Sequence, residues 1–413
     1  MKIYLGIALA VAFAAVPVVA QLSVPPIAGV LPGVTRRVGG ALDSVDGAVE
    51  ATAAQARALA RTRVRSIAAL VRANPMALEL DDDGRLARRG EVIIVDADIA
   101  AIAAAQRAGF RVIEQTSIAE LDMALTRLAV PGDEQLGRAV RRLRRLLPAH
   151  EVTSDQLLLQ SGATTPMALQ AQPPAPPRVG GVTVGLVDGG VARHIPVAVA
   201  RGFANGAPVA SAHGSAVASL LRRGGATRII AADVFGTEPA GGSSSAVARA
   251  LAWLVQQRVP VISISLVGPD NILLRRAIAG ATARGIVVVA AVGNDGPAAP
   301  PSYPASYPSV VAVTGVDRRN RALIEAGRAL HLDYAAPGAD ISASGADGSL
   351  RPVRGTSFAT PLVAARLAVL MAAGAGRSST MAMLDREAVD LGRRGADPLF
   401  GRGLICGECR AAQ

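Results

Sequence analysis

Four polar residues of the types that catalyse acyl transfer follow one another in the second half of the chain. Asp188 ends "VTVGLVD", His213 opens "HGSAVASLL", Asn294 follows "GIVVVAAVG" and Ser357 lies in "GTSFATP". A serine hydroxyl becomes a good nucleophile when a histidine takes its proton, and an aspartate holds that imidazole in the required tautomer. A helix-terminal N–H and an asparagine amide can stabilise an oxyanion. The set therefore predicts a hydrolase with a serine nucleophile.

The segments that carry these residues alternate between short apolar strands and helices from residue 182 onward. Asp188 and Asn294 come at the ends of strands, whereas His213 and Ser357 come at the starts of helices. This alternation predicts an α/β fold with a doubly wound, mainly parallel sheet and helices on both faces. In such a sheet ligands bind at the carboxyl ends of the strands. We therefore expect all four side chains at one edge of the sheet.

Some of these residues also have a simpler structural interpretation. Thr356 or Ser357 could be the N-cap of the following helix, since hydroxyl side chains are preferred there. His194 and His331 are alternative bases. His194 precedes Ile-Pro without the expected helix, and His331 comes after Asn294, which is the wrong order. The combination of four polar residues in one order favours the catalytic interpretation.

The motifs "VDGG", "HGSAVAS", "AAVGND" and "GTSFATP", in this order, resemble those of the subtilisin-like serine peptidases over residues 180–405. The pattern departs from the family at Ser215, where threonine is usual. It departs again at Gly189, where serine or threonine is usual. The second departure removes one local hydroxyl hydrogen bond and keeps the aspartate.

The resemblance implies a subtilisin-like fold and an exported serine endopeptidase. Asp188, His213 and Ser357 would form the triad, with an acyl-enzyme on Ser357, and Asn294 would donate to the oxyanion. One alternative is a catalytically weak or inactive subtilase-like peptide-binding protein, against which the complete set of four residues argues. A second alternative, a serine esterase on another α/β fold, requires Gly-x-Ser-x-Gly and the order serine, aspartate, histidine. This chain has neither.

The resemblance further implies a substrate-binding strand in "SISLVGPDN" and a pocket beside it. Such an edge binds an extended peptide through backbone hydrogen bonds. Val267 departs from the family pattern and narrows the pocket, whose apolar lining predicts an apolar side chain before the cut bond. Asp295 offers the alternative of a basic side chain. The substrate-binding residues expected on this basis are Ser265, Leu266, Val267, Gly268, Ala290, Ala291 and Gly293.

Upstream, residues 90–160 show the element order β-α-β-β-α-β of a small α+β, ferredoxin-like domain. Residues 161–180 are rich in Pro and Ala without periodicity, which predicts an exposed linker before a peptidase domain at 181–405. The resemblance implies that residues 90–160 are a propeptide, an intramolecular inhibitor that assists folding until the linker is cut. A permanent accessory domain is the alternative.

The N-terminus predicts export. Residues 1–20 combine one positive charge, an apolar run and small residues before the expected cut, which is the pattern of a signal peptide. A retained membrane anchor is the alternative, although the run is near the lower length limit for a span. We therefore expect a secreted or periplasmic protein without a stable membrane span. Residues 21–89 are rich in Pro and Gly and then helical, and the role of the stretch 42–74 stays open.

Composition weighs against a nucleic-acid partner. The formal net charge is +11, but Lys2 is the only lysine and arginines occur throughout, without a basic–aromatic pattern. A basic composition of this kind needs no phosphate partner to explain it. We expect a protein or peptide substrate and no nucleic acid.

Cys406 and Cys409 form the motif "CGEC" at the start of a C-terminal tail, residues 406–413. Two cysteines cannot close a structural zinc site, and a local disulfide would close a very small loop. A redox role expects the motif inside a βαβ unit. Residues 182–405 contain no aspartate-rich loop with calcium-ligand spacing. No metal ligand is therefore predicted, no cofactor is required, and calcium binding stays open.

Overall fold

The computed structural model of the protein describes residues 54–55, 57–132, 134–160, 163–164, 181–374 and 376–410. The predicted signal peptide and the Pro/Gly-rich segment lie outside the described residues, as does most of the predicted linker. The described residues all belong to one compact unit that starts at Ala54.

The described part begins with helix α1, which spans residues 57–73. A small α+β region follows. Its elements are β1 (Leu78–Leu80), β2 (Leu86–Val95), α2 (Ile99–Arg107), β3 (Arg111–Ile118), β4 (Met123–Ala129), α3 (Leu136–Leu146) and β5 (Glu151–Gln156).

The longer strands of this small region form an antiparallel sheet in the order β5-β2-β4-β3, and β1 pairs with the start of β2. From β2 to β5 the elements follow the order of a ferredoxin-like unit. The sheet begins before residue 90, because β2 starts at Leu86. The start of β2 is hard to predict from the charged sequence "GRLARRGE", because only Leu86 and Ala87 within it are buried.

Side chains of β2 alternate between two cores, as the twofold period of a strand requires. Val92 and Ile94 pack with residues of α2 and α3. Ile93 and Val95 lie on the opposite face and join a core that is formed mainly by the larger region. The small region therefore covers one face of its sheet itself and shares the other.

The chain enters the larger region through two short strands, β6 (Leu159–Gln160) and β7 (Ala163–Thr164). The elements that follow are β8 (Thr183–Asp188), β9 (Val199–Gly202), α4 (Ala212–Arg223), β10 (Arg228–Asp233), α5 (Ser244–Gln256), β11 (Val261–Ile264), β12 (Leu266–Val267), α6 (Ile272–Ala283), β13 (Val287–Ala291), β14 (Val310–Val316), β15 (Tyr334–Pro337), β16 (Ile341–Ser344), β17 (Leu350–Arg354), α7 (Thr356–Ala372) and α8 (Arg377–Glu387).

Seven parallel strands form the central sheet in the order β15-β14-β13-β11-β8-β10-β9. The inner strands are apolar runs whose residues are almost all buried, as expected for a parallel sheet that helices cover on both faces. Helices α5 and α6 pack on one face, and α4 and α7 pack on the other. The predicted fold class, a doubly wound parallel sheet, is confirmed.

The sheet order places a switch point beside β8. After β8 the chain adds β10 on one side, and it then crosses over to place β11 on the other side. Ligands bind at such a switch point, outside the carboxyl ends of the strands. Asp188 is the last residue of β8, so the fold puts this carboxylate where chemistry is expected.

Candidate active site

Asp188 and His213 form a buried hydrogen-bonded pair. Nδ1 of His213 lies 2.9 Å from Oδ1 and 3.0 Å from Oδ2 of Asp188. His213 is the second residue of α4, whose N-cap Ser211 accepts a hydrogen bond from Gly214 N at 2.9 Å. The carboxylate is held in turn by the backbone N–H of Gly189 at 2.7 Å. With Nδ1 donating to a carboxylate, the neutral imidazole carries its lone pair on Nε2.

Gly189 is required by the close approach of its neighbours. A Cβ at this position would lie 2.4 Å from Ser211 Oγ and 3.1 Å from Gln160 Nε2. The tight packing around Gly189 therefore leaves no room for the serine or threonine that is usual after the aspartate. Gln160, the last residue of β6, fills part of the space and donates to Asp188 Oδ1 at 3.1 Å.

Ser357 lies in the first turn of α7. The helix is capped by Gly355, whose φ of 140° suits glycine, so neither Thr356 nor Ser357 is the N-cap. The alternative structural interpretation of these hydroxyl residues is therefore wrong. The Ser357 hydroxyl donates to the carbonyl of Ser265 at 3.1 Å.

A proline in α7 leaves the carbonyl of Ser357 free to accept a hydrogen bond from Ser265, which lies between β11 and β12. Pro361 has no N–H, so the carbonyl of Ser357 lacks its usual helical donor four residues on. The hydroxyl of Ser265 donates to that carbonyl at 2.8 Å. The two serines thus exchange a pair of hydrogen bonds, which fixes the start of α7 against the substrate-binding strand predicted from the sequence.

Two polar atoms near the serine are buried and have no hydrogen-bond partner in the part of the chain that the structure describes. They are Nε2 of His213 and Nδ2 of Asn294. Oδ1 of Asn294 accepts the backbone N–H of Thr356 at 2.9 Å, which fixes the orientation of the amide. Buried polar atoms are normally paired, so these two atoms are exceptions that need an explanation.

The predicted substrate-binding strand carries a short second strand. β12 pairs antiparallel with β6, so that Leu266 lies opposite Gln160 and Val267 lies opposite Leu159. Gly268 forms a further bridge with Tyr303. The predicted edge therefore binds an extended segment of this same chain.

The predicted pocket residues Ala290, Ala291 and Gly293 come together with Val267 on the neighbouring strand. Ala290 and Ala291 are fully buried. A Cβ on Gly293 would lie 3.3 Å from Val267 Cγ1 and 3.0 Å from Ser302 Oγ. Val267 and Ser302 therefore leave little room for a side chain at Gly293.

The two alternative histidines lie elsewhere. His194 is exposed and contacts Ser344 Oγ at 3.0 Å. His331 Nε2 lies 2.9 Å from the carbonyl of Val310, and its hydrogen bond with Asp333 raises the pKa of its imidazole. Neither contacts Asp188 or Ser357 by any hydrogen bond that the structure shows.

The family comparison decides what kind of domain this site belongs to. Residues 180–403, more than half of the 413 residues, match the model of the subtilase family. The chain belongs to the subtilase family. The family predicted from the four motifs is thereby confirmed, and with it the class of enzyme, a serine endopeptidase of the subtilisin type.

Relatives of this subtilase include proteases of known name. It is 28% identical over 241 residues to the minor extracellular protease Epr of Bacillus subtilis (strain 168), covering 54% of this chain and 37% of Epr. It is 30% identical over 246 residues to subtilisin BL of Lederbergia lenta, covering 55% of this chain and 90% of subtilisin BL. Because the match spans little more than a third of Epr, the substrates and activity of the whole chain are proposals.

A solved structure shows the same fold. Fervidolysin from Fervidobacterium pennivorans, a keratinolytic enzyme related to subtilisin, matches with a TM-score of 0.65 at 16% identity. The match covers 81% of this chain and 63% of fervidolysin. At this identity the similarity supports the fold alone.

The small region of this subtilase docks on helix ends of the larger region. Both carboxylate oxygens of Asp155 are used by Ser245 in the first turn of α5, at 2.9 Å from its N–H and 2.7 Å from its hydroxyl. Asn271, the N-cap of α6, donates to Thr153 Oγ1 and to Gln156 Oε1, both at 3.0 Å. A carboxylate at a helix N-terminus is stabilised by the helix dipole.

Several contact residues of the site were not predicted from the sequence. Gln160 lies where the predicted linker begins, and nothing in its sequence context marks a contact to Asp188. Ser302 precedes a cis Tyr303–Pro304 bond, and the repeated "SYP" is the one signal that could have drawn attention to it. Sequence reasoning found the four chemical groups because their types are diagnostic, whereas these neighbours are set by the tertiary fold.

The described residues contain no group of free side chains that could bind a metal ion in the manner of a protein metal site. Cys406, Glu408 and Cys409 are the one group of potential ligands that cluster within the described residues. The two cysteines are joined in a disulfide, so the group offers no thiolate. Within the same described ranges, no helix is long and apolar enough to cross a membrane.

Proposed function

We propose that this subtilase is an exported serine endopeptidase that is made as an autoinhibited zymogen. The observation that carries the proposal is the buried Asp188–His213 hydrogen bond, whose imidazole ring lies 5.5 Å from the ring of Phe358, the residue after Ser357 at the start of α7. Export is supported by the composition of residues 1–20 and by the name of the relative Epr, an extracellular protease.

In the proposed reaction, Nε2 of His213 takes the proton of the Ser357 hydroxyl as its oxygen attacks the peptide carbonyl carbon. Asp188 holds Nδ1 and stabilises the imidazolium that forms. The hydroxyl must first rotate away from the carbonyl of Ser265, to which it donates here. His213 then gives the proton to the leaving amine. A water molecule, deprotonated by the same imidazole, then attacks the acyl carbon, and His213 returns that proton to the Ser357 oxygen as the ester bond breaks and the acid product leaves. The side chains of this chain carry every proton transfer, so the proposal requires no cofactor.

The oxyanion is assigned two donors. The first is Nδ2 of Asn294, which is buried and unpartnered among the described residues. The second is the backbone N–H of Ser357 at the positive end of α7. Preorganised donors of this kind stabilise the transition state because they need no reorientation when charge develops.

Inhibition is assigned to the two short strands that flank the serine. β6 pairs with β12 on one side, and β7 pairs antiparallel with β17, where Ala163 lies opposite Arg354. Asp188, His213 and Ser357 are 0%, 6% and 0% exposed in the uncut chain. We propose that β6 and β7 occupy the edges with which a peptide substrate would pair.

We place the proposed cut between β6 and β7. Gln160, the last residue of β6, lies opposite Leu266, and Ala163, the first residue of β7, lies opposite Arg354. Residues 161 and 162 lie outside the described residues, and we assign the cut to the bond between Ser161 and Gly162 because it is the middle bond between the two strands. N-terminal sequencing of the processed enzyme should therefore begin at Gly162; a start beyond Ala163 would contradict this assignment.

The pocket expected from the sequence should accept a small apolar side chain before the cut bond, because Val267 and Ser302 leave little space beside Gly293. The proposed processing site has a serine at this position, which is small but polar. Peptide amides that differ only at this position test the preference, with alanine expected above phenylalanine. One methylene changes such a ratio by roughly 10–200-fold. Val267→Gly should shift the preference toward phenylalanine, and an unchanged ratio would remove Val267 from the pocket.

A fluorophosphonate probe tests the assigned nucleophile. After processing, the probe should label the peptide that contains Ser357, and His213→Ala should abolish the labelling because the hydroxyl loses its base. Labelling of another serine would contradict the assignment.

A catalytically weak peptide-binding subtilase is the second candidate. The bond from the Ser357 hydroxyl to Ser265, and not to His213, favours it. Casein hydrolysis by the processed chain separates the two, since a binding protein would retain casein without cutting it.

A further inference from the structure

Helix α1 contacts the rim of the candidate active site through Arg63, which lies within the helix. Arg63 forms an ion pair with Asp295, and the two side chains are 24% and 23% exposed. Asp295 directly follows Asn294, the proposed oxyanion donor. A helix far upstream in the sequence therefore has a charged contact one residue from the catalytic groups.

The same face of α1 carries apolar side chains onto the inhibitory strand. Ile67, Leu70 and Val71 follow Arg63 at positions i+4, i+7 and i+8, which lie on one side of a helix. They pack in one cluster with Leu159, the first residue of β6. The buried members of that cluster are Leu78, Leu86, Leu157 and Ala240.

The positive charge of Arg63 is stabilised by its ion pair with Asp295. Arg57, Arg61, Arg65 and Arg72 on the same helix are exposed, whereas Arg63 is not. Burial, together with repulsion from Arg85, lowers the pKa of the Arg63 guanidinium. A partly buried cation is costly unless it is paired, so its contact with Asp295 offsets a real desolvation cost.

We propose that α1 is a second inhibitory element, which holds β6 against the substrate-binding strand and occupies Asp295. This inference rests on the proposed function, because it takes β6 as the inhibitory segment. β6 forms only two residue pairs with β12, so this pairing alone is weak. Packing of α1 on Leu159 adds the apolar burial that the strand itself lacks. Cutting the chain after β6 leaves every contact of α1 in place, so α1 slows the release of the cleaved strand.

Amide hydrogen exchange of the full-length Ser357→Ala chain tests this role, because that background cannot cut itself. Adding Arg63→Glu replaces the ion pair with repulsion between two carboxylates. Amides of residues 157–160 should then exchange about fivefold faster, since an exposed or half-exposed pair contributes about 1 kcal/mol. Arg65→Glu is the matched control, with the same charge change on the exposed side of the helix. It should leave these amides unchanged.

Two further variants keep the test decisive if Arg63→Glu alters folding. The charge swap Arg63→Glu with Asp295→Arg should restore the exchange to within about twofold, because the pair is re-formed in reverse. Ile67→Ser keeps the ion pair and removes an apolar contact with the β6 cluster, so exchange at residues 157–160 should rise again. Unchanged exchange in both Arg63→Glu and Ile67→Ser would overturn the proposal, as would an equal rise in Arg65→Glu.

This experiment fails independently of the proposed function, because exchange requires no hydrolysis. If the processed chain with Ser357 intact does not cut casein, the proposed function fails and the exchange data still decide the role of α1. If casein is cut and β6 exchanges alike in all variants, only the role of α1 fails.

Discussion

The two regions of this subtilase bury their sheets in different ways. Helices of the larger region cover both faces of its central sheet. The small region has α2 and α3 on one face, and its other face lies against α5 and α6 of the larger region. Ile93 and Leu125 on that shared face are as completely buried as Leu186 in the central sheet. The small region therefore completes its core only against the larger one.

This difference is consistent with the proposed division of the chain into an inhibitor and an enzyme. A region that depends on its partner for half of its core loses that burial when the partner is removed. Buried polar contacts, such as that of Asp155 with Ser245, would be exposed as well. In the proposed account, cutting the chain between β6 and β7 allows the small region to unfold and leave, while α5 and α6 still cover the central sheet.

In the proposed account, all the chemistry takes place in the larger region. His213→Ala tests this and should have the largest effect. The turnover number should fall about 10⁴- to 10⁶-fold, because the serine loses its base. The docking of the small region should stay the same, whereas the melting temperature should fall because the buried Asp188 carboxylate loses its partner. A loss of docking in this variant would show that the two functions are not separate.

Asn294→Ala should have the next largest effect. The turnover number should fall roughly 10²–10³-fold, the usual loss for one oxyanion donor. Steady-state kinetics on a peptide amide give this value. A change confined to the Michaelis constant would place Asn294 in substrate binding instead.

Asp155→Ala tests how strongly the stability of the small region depends on its contact with the larger one. The change leaves the N–H of Ser245 and the start of α5 without their acceptor. Removing one partner of a buried polar contact costs about 1–3 kcal/mol, so hydrogen exchange in the small region of the Ser357→Ala chain should accelerate. Asp83→Ala, at an exposed aspartate of the same region, is the control. Equal exchange in the two variants would remove Asp155 from the interface account.

Ser265→Ala should have the smallest effect, and it acts within the larger region. It leaves the carbonyl of Ser357 without the donor that Pro361 cannot supply. We expect a loss of stability of about 1 kcal/mol and a modest fall in turnover. Ser263→Ala is a matched control, because the Ser263 hydroxyl is buried and has no partner among the described residues. The control should be nearly neutral in thermal unfolding, and an equal loss in both variants would contradict this role for Ser265.

The central sheet and the four catalytic candidates could be predicted because their signals are local. Runs such as "GIVVVAA" are apolar at every position, which a parallel strand buried on both faces requires. The residues of the candidate site follow such strands or begin helices, so the sheet order alone brings them to one edge. The structure places Asp188, His213, Asn294 and Ser357 at that edge, and their catalytic roles remain predictions.

The rest depended on long-range packing. The start of β2 was missed because arginines occupy its exposed positions. The contact of Gln160 with Asp188 and that of Arg63 with Asp295 join residues 28 and 232 positions apart. No sequence period encodes such pairs, because they depend on how the small region docks. The alternative interpretation of Thr356 or Ser357 as an N-cap was wrong for a local reason, since Gly355 takes that position in a conformation that favours glycine.

Intact mass against time for the purified wild-type chain and for Ser357→Ala tests the central claim most directly. The wild type should lose an N-terminal fragment ending at Ser161, and Ser357→Ala should stay whole, because the serine that cuts the chain is missing. Loss of the same fragment from both proteins would contradict self-processing by Ser357. A wild-type chain that stays whole, and that remains inactive on casein after a trace of active peptidase is added, would contradict the zymogen account.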